Sequence, residues 1–338
     1  MRWQLAVIGG GPAGCAAALR AAAAGLSVVL VEGARFPRAQ PGETLHPGVE
    51  PIFAQLGVLD RVDAAGFHRH RGVWVEWDAP RTFQAYGEDG RGPWLGFQAE
   101  RSRLDALLLA ATRDAGVEVL QPCRAEGVLR DGERIVGLAT SAGPVHADWV
   151  ADASGRQAWL VRQLRLPTEP HSPPLRVRFG WTEGGGGEDL DGQPFFQAQP
   201  GGWEWRAPLG RDRCAWASLR LPSAIESRAD RVVPAAGIDL RWRLIRACAG
   251  PGYFLLGDAA ATLDPSSSHG VLRALMSGIL AGHLLAALAG GRVGASEIVT
   301  AFRDWTHGQF SHDSAALRQL WQRHPCEETR ARMASPGQ

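Results

Sequence analysis

Residues 5–14 read Leu-Ala-Val-Ile-Gly-Gly-Gly-Pro-Ala-Gly, and residues 27–32 read Ser-Val-Val-Leu-Val-Glu. Leu5–Ile8 is a short apolar run suited to a buried parallel strand. Gly9, Gly11 and Gly14 then fall on a G-x-G-x-x-G spacing, with Pro12 and Ala13 inside it. The first glycine permits a tight turn, the second lets a pyrophosphate approach the backbone, and the third allows close helix–strand packing. Ala13–Ala24 is alanine-rich and predicts a helix, which Gly25 stops. The N–H groups and positive dipole end of that helix face an anion. Ser27–Val31 predicts a second buried strand. It ends at Glu32, roughly 20 residues after the glycines, where an acid can take ribose hydroxyls. Together these predict a dinucleotide-binding β-α-β unit; an ordinary glycine turn beside a surface glutamate would not need all four elements in order.

Distal motifs decide between a nicotinamide and a flavin. Leu255-Leu256-Gly257-Asp258-Ala259-Ala260 reads as a buried strand ending in Gly-Asp and running toward a helix. It resembles the second fingerprint of glutathione-reductase-type FAD proteins, whose Asp binds the ribityl chain or the pyrophosphate. Val150–Arg156, which contains Asp152, resembles the middle motif of the same group. Three such motifs in the right order imply FAD.

The whole chain resembles the FAD-dependent aromatic hydroxylase and flavin-dependent halogenase superfamily. Phe36-Pro37-Arg38 followed by Pro41-Gly42-Glu43-Thr44-Leu45 is similar to the loop that runs under the isoalloxazine. Arg101-Ser102-Arg103-Leu104-Asp105 resembles a helix start whose arginine faces the cofactor. Asp264–Gly270, with Pro265 and His269, resembles the segment that packs on the flavin ring. Trp203-Glu204-Trp205-Arg206-Ala207-Pro208 resembles the halogenase W-x-W-x-I-P motif, departing at Ala207. Strand alternation makes Trp203 and Trp205 packing residues first. The resemblance implies a cofactor-binding set of Gly9, Gly11, Pro12, Ala13, Gly14, Glu32, Gly33, Arg38, Gly42, Glu43, Thr44, Arg101, Asp152, Gly257, Asp258, Pro265, Gly270 and Val271.

Halogenases of this group relay hypohalous acid through a lysine. All 36 basic residues here are arginine, so no lysine amine is available. Within Gly257–Gly278 the chain is similar to a lysine-poor offshoot, the flavoprotein maturases that oxygenate a tryptophan of a partner quinoprotein. The implied activity is hydroxylation of an aromatic ring through a flavin C4a-hydroperoxide, with a partner-protein tryptophan as the specific expectation. The alternatives are a small-molecule aromatic hydroxylase or halogenase-like tailoring enzyme, and a non-catalytic flavoprotein that escorts a partner. His269, the histidine inside a flavin-facing motif, and Glu43 are the catalytic candidates. His46 is a further candidate. No second G-x-G-x-x-G is present, so electrons are expected from transient NAD(P)H binding or from a separate flavin reductase.

Composition bounds the remaining choices. Over 338 residues, 45% are hydrophobic and 21% charged, which supports a sizeable core and argues against disorder. A net charge of +1 gives no basic field for nucleic acid or an anionic membrane. The five cysteines form no C-x-x-C pair, which disfavours a disulfide framework or a cysteine zinc site and suits a reducing cytoplasm. No unbroken apolar run reaches the ~20 residues of a membrane span. His68 and His70, flanking Arg69, predict a solvated stretch without metal partners. The arginines at 206–220 and 241–246 predict exposed strand faces rather than a docking surface.

The expected fold is an α/β, FAD-binding Rossmann-like domain of glutathione-reductase type with an inserted antiparallel sheet. Residues 1–71, 99–168 and 248–295 are assigned to the FAD domain, 72–98 and 169–247 to the substrate sheet, and 296–338 to a polar helical segment. Residues 33–50 read as loop, 51–59 as a short helix, Arg103–Ala115 and Val271–Leu288 as helices, and the Gly184–Gly187 run as a flexible loop. Oligomeric state is not encoded in any motif.

Overall fold

The computed structural model describes residues 1–38, 42–183, 190–210, 213–222 and 238–334. Pro41 and the Gly184–Gly187 run lie outside the described residues.

The glycine-rich unit folds as β1 (Arg2–Ile8), α1 (Pro12–Ala23) and β2 (Val28–Val31). The chain then forms β3 (Gly42–Leu45), α2 (Val49–Gln55), α3 (Leu59–Ala64), β4 (His68–His70), β5 (Gly72–Glu76), β6 (Thr82–Ala85), β7 (Gly96–Glu100) and α4 (Arg101–Asp114). Next come β8 (Glu118–Leu120), β9 (Ala125–Asp131), β10 (Arg134–Thr140), β11 (Gly143–Asp152) and α5 (Trp159–Leu164). The second half holds β12 (Arg176–Glu183), β13 (Phe195–Gln199), β14 (Gly202–Pro208), β15 (Arg213–Arg220), β16 (Tyr253–Leu255), α6 (Gly270–Ala289), α7 (Ala295–Gln322) and α8 (Glu327–Ala334). Two-residue bridges are left unlabelled.

β8, β2, β1 and β11 form a parallel sheet, and β16 extends it beyond β11. The β9–β10 hairpin joins it antiparallel, turning at Gly132, as the Asp131-Gly132 pair predicts. The second large sheet runs β12-β15-β14-β13-β5-β6, antiparallel except where β13 meets β5. A small sheet, β3-β7-β4, lies beside it.

Two apolar cores follow. One joins β1, β2, β11 and β16 to α1, α4 and α6. The close approach of α6 to α1 depends on small residues: a Cβ at Gly278 would lie 2.3 Å from the Ala13 carbonyl oxygen. α6 is long and apolar enough to cross a membrane by length and composition, yet this face is spent on α1. The second core lies beneath the antiparallel sheet. Trp77, Phe196, Trp203 and Leu219 meet Phe310, Leu317 and Trp321 of α7 there.

Three local expectations are corrected. β3 forms inside the expected loop 33–50, because pairing with β7 supplies partners that local sequence does not show. The expected helix at 51–59 is two helices, α2 and α3. The C-terminal segment is amphipathic rather than polar: Ile298 and Phe302 enter the first core and Phe310, Leu317 and Trp321 the second.

Candidate functional site

The site lies where the C-terminal ends of β1, β2 and β16 meet β3, the start of α4 and the N-terminus of α6. Gly9 sits at φ +100, which only glycine adopts without strain. A Cβ at Gly14 would fall 1.9 Å from the Gly9 carbonyl oxygen, so turn and helix can pack only without one. Gly11 is the N-cap of α1 and supplies no side-chain cap, Pro12 opens the helix, and Ala13 is buried. Glu32 is nearly fully buried and both its oxygens accept backbone N–H groups, from Gly10 and Ala34, each at 2.7 Å. Each oxygen keeps a second lone pair for a ribose hydroxyl. Gly33 lies exposed just beyond.

An ion-pair ladder leads from this turn into the cleft. Arg38 lies 3.7 Å from Glu32, stacks over Phe36 and donates to Asp105 at 3.2 Å. Asp105 is fully buried and also accepts from Arg101 through Nε at 2.8 Å and Nη2 at 3.1 Å. Arg101 then donates to Glu43 at 3.1 Å. Burial works against the Arg101 charge, but Asp105 and Glu43 outweigh it and raise its pKa. Burial pushes the Glu43 carboxyl up, Arg101 opposes this, and the nearby Asp258 charge adds to it. Asp105 is the node of the ladder. Its place four residues after Arg101 on one helix was the available signal.

Gly257 and Asp258 form a 3₁₀ turn directly after β16. The Gly257 N–H donates to Ser277 Oγ of α6 at 3.0 Å. Arg243 braces this turn through the carbonyls of Arg156 at 2.7 Å and Asp258 at 3.5 Å. Arg213 and Arg246 lie exposed as expected, but Arg243 is a part-buried structural residue and Arg220, paired with Glu204 at 2.6 Å, is likewise covered, which corrects the expectation at these two positions. Asp152 is also corrected. It is fully buried, and its oxygens accept from the N–H groups of Ser154 and Leu160, so it shapes its own turn and faces no cleft.

The two segments expected to face the flavin converge. On one side Gly42, Glu43 and Thr44 run along β3. On the other, Asp264 leads through exposed Pro265 to His269, the N-cap of α6, then to exposed Gly270 and to Val271, whose side chain is buried. The α6 N-terminus has no side-chain cap, and nothing lies within 4 Å of a Cβ placed on Gly270.

Asp264 is fully buried. Its Oδ1 accepts from Trp203 Nε1 at 3.0 Å and from the Ser266 N–H at 2.9 Å, and its Oδ2 accepts from Trp321 Nε1 at 2.8 Å. Burial pushes its carboxyl up, and these donors oppose the shift. Trp205 donates to Thr44 Oγ1 at 3.1 Å, and Thr44 passes the bond to Gln98 at 2.9 Å. The sequence offered no sign of Trp321 or Gln98.

His46, His269, Tyr86 and the buried His70 form a cluster of rings. The His46 ring lies 5.8 Å from that of His269 and edge-on to Tyr86 at 4.9 Å; Tyr86 lies 5.4 Å from His70. Burial lowers the pKa of His46 and His269; Asp313 partly offsets the second. Burial takes His70 down to about 4. His70 is only 1% exposed and His68 bonds the Gly192 carbonyl at 2.7 Å, which corrects the expectation of a solvated stretch. Among the described residues no group of three or more His, Cys, Asp or Glu is arranged to hold a metal ion.

These features fit an FAD. A glycine cradle that a Cβ would fill, an acid at the end of β2, and two uncapped helix N-termini are the requirements of a bound dinucleotide. The chain matches the family model described as FAD binding domain over residues 2–182. It is 30% identical to a tryptophan 2-halogenase of Chondromyces crocatus, over 91% of this chain and 65% of that protein, so it spans under two thirds of that relative's length. In fold it is similar to the myxobacterial chondrochloren halogenase CndH (TM-score 0.86, 24% identity, 97% of this chain and 86% of that one). It is also similar to Pseudomonas aeruginosa PqsL in complex with 2-aminobenzoylacetate (TM-score 0.81, 18% identity, 98% and 99%). With the family model covering more than half of its length, the chain belongs to the FAD-binding-domain family.

Proposed function

We propose that this enzyme transfers oxygen to an electron-rich aromatic ring, and that the ring is an indole, specifically a tryptophan of a partner protein during quinone-cofactor biogenesis. The observation that carries the oxygenase reading is the chemistry of the ring cluster at His46, Tyr86 and His269. It is built of imidazoles and a phenol, and no lysine exists anywhere in the chain to carry an activated halogen. When bound and reduced, FAD supplies the electrons that activate dioxygen.

The chain's own residues supply the rest. The glycine turn and Glu32 bind, and the Asp105 ladder orients Arg101 and Glu43 in the cleft. His46 accepts the Gly48 N–H at Nδ1 (3.1 Å), so its neutral ring carries a proton at Nε2 and can donate it. His269 stands beside it, and with its pKa lowered by burial its neutral ring can accept a proton. The electron donor is either NAD(P)H acting directly or a separate reductase. The five free cysteines support a reducing cytoplasm as the compartment.

Halogenation of the same ring is the second reading, favoured by the 30% identity to a tryptophan 2-halogenase and by the Trp203–Pro208 stretch. One experiment separates the readings. The FAD-loaded protein is incubated with a tryptophan-bearing partner encoded beside it, or with free indoles and phenols. NADH is added with and without a flavin reductase, and with and without bromide. Gain of oxygen mass independent of bromide supports oxygenation; a bromine isotope pattern replaces it with halogenation. An unmodified partner alongside an oxygenated small indole sinks the partner-protein form. No modification at all, with flavin reoxidation indifferent to every substrate, returns a non-catalytic escort.

A further inference from the structure

Trp203 and Trp205 stand two apart on β14, so their side chains leave the same face of the antiparallel sheet. Each indole spends its N–H on a different flavin-facing motif: Trp203 on Asp264, ahead of the turn that leads to His269 and Gly270, and Trp205 on Thr44 of β3. These acceptors stand on opposite sides of the cleft and are 220 residues apart in sequence (44 and 264). Among the described residues no hydrogen bond joins the two segments directly. Packing alone would be satisfied by any large ring at positions 203 and 205. The bonds add direction, because an indole has one donor in a fixed place.

We propose that Trp203 and Trp205 are positioning residues that set the spacing of the two flavin-flanking segments and tie that spacing to the sheet on which a substrate would rest. The inference rests on the reading that the flavin lies between Gly42–Thr44 and Asp264–Val271. The Trp203 anchor is backed by Trp321, which takes the other oxygen of Asp264 from the end of α7. The Trp205 anchor is backed by Gln98, which accepts the Thr44 hydroxyl hydrogen. Each indole therefore meets an acceptor that is itself held, as accurate positioning requires. Displacement of β14 by a bound substrate would be felt by both segments together.

The test uses the full-length FAD-loaded protein. Its readouts are the FAD dissociation constant, the visible absorption band shape of the bound flavin, and its reduction potential. The variants are Trp203→Phe, Trp205→Phe, Thr44→Val, Thr44→Ser and the double Trp205→Phe/Thr44→Val. Each single loss of a bond is expected to weaken FAD binding about three- to tenfold and to alter the flavin band. Thr44→Ser, which keeps the hydroxyl, is expected to behave as the parent. The double variant should be no worse than Thr44→Val, because that single variant already loses the bond from Trp205 together with the one to Gln98. Gly11→Ala and Asp258→Ala serve as controls on the reading beneath. If these leave FAD binding intact, the flavin-site reading falls. If they abolish binding while the tryptophan and Thr44→Val variants keep the parent's affinity, band shape and potential, positioning is overturned and the indoles only pack. Should Trp203→Phe fail to fold, the Thr44 pair carries the same decision.

Discussion

The indole N–H of Trp203 donates to Oδ1 of Asp264 at 3.0 Å, joining the middle of the antiparallel sheet to the turn that opens α6. Asp264 is fully buried and carries a second indole and a backbone amide as donors. Asp264→Asn keeps the shape but turns an amide NH2 toward one of those donors. It is expected to cost about 2–3 kcal/mol of folding stability. Urea unfolding checks this. A loss too small to measure would mean that water or a shifted side chain replaces the missing acceptor.

Gly270 and Gly14 make opposite predictions. A Cβ at Gly270 meets nothing within 4 Å, so Gly270→Ala should leave the thermal midpoint without cofactor unchanged or slightly raised. It should still weaken FAD binding about tenfold, because the new methyl enters the cleft. A Cβ at Gly14 collides with backbone at 1.9 Å, so Gly14→Ala should prevent the turn from forming. Melting curves and flavin fluorescence titrations distinguish the two.

Asp105→Asn removes the charge that Arg38 and Arg101 share. Each part-buried guanidinium then keeps one acid, Glu32 or Glu43, and loses its hydrogen bonds to a charged acceptor, so the expected loss is about 2–3 kcal/mol. Arg61→Gln, which breaks an exposed pair with Asp114, should cost under about 1 kcal/mol. A comparable loss for both would contradict the ladder's role.

His70 makes the stability depend on acid. Its folded pKa of about 4 lies below the ordinary value of 6.5, so between them the unfolded chain binds the extra proton. Its contribution is therefore complete above pH 6.5 and is lost as pH falls toward 4, by roughly 3 kcal/mol for this one group. His70→Gln should flatten the fall in thermal midpoint between these pH values. An unchanged slope in the variant would show that other groups carry the acid sensitivity.

The first β-α-β unit was readable because its signals are local: an apolar run, a glycine spacing, an alanine helix and a closing acid. The antiparallel hairpins were readable from alternation and the Asp131-Gly132 turn. β3 was not, because Gly42–Leu45 becomes a strand only through β7, more than 50 residues later. In the site, Glu32, Glu43, Arg101 and His269 carried family motifs; the structure links the first three through Arg38 and Asp105 and sets His269 beside His46. Asp152 carried a motif too, but its oxygens are consumed by local amides. Trp321 and Arg243 were invisible because a hydrogen bond made across the fold leaves no mark on the residues beside it.

The second donor to Asp264 has an implication for assembly. Trp321 follows Asp264 by 57 residues. A chain emerging from the ribosome can form the glycine turn, the parallel sheet and even the Trp203 bond while one oxygen of this carboxylate is still unanswered. Enclosing it at that stage is costly. The turn leading to His269 should therefore be among the last parts of the protein to settle, when the end of α7 arrives. Newly made protein and protein shortened within α7 should share one weakness, an FAD cleft open to protease at the turn before α6.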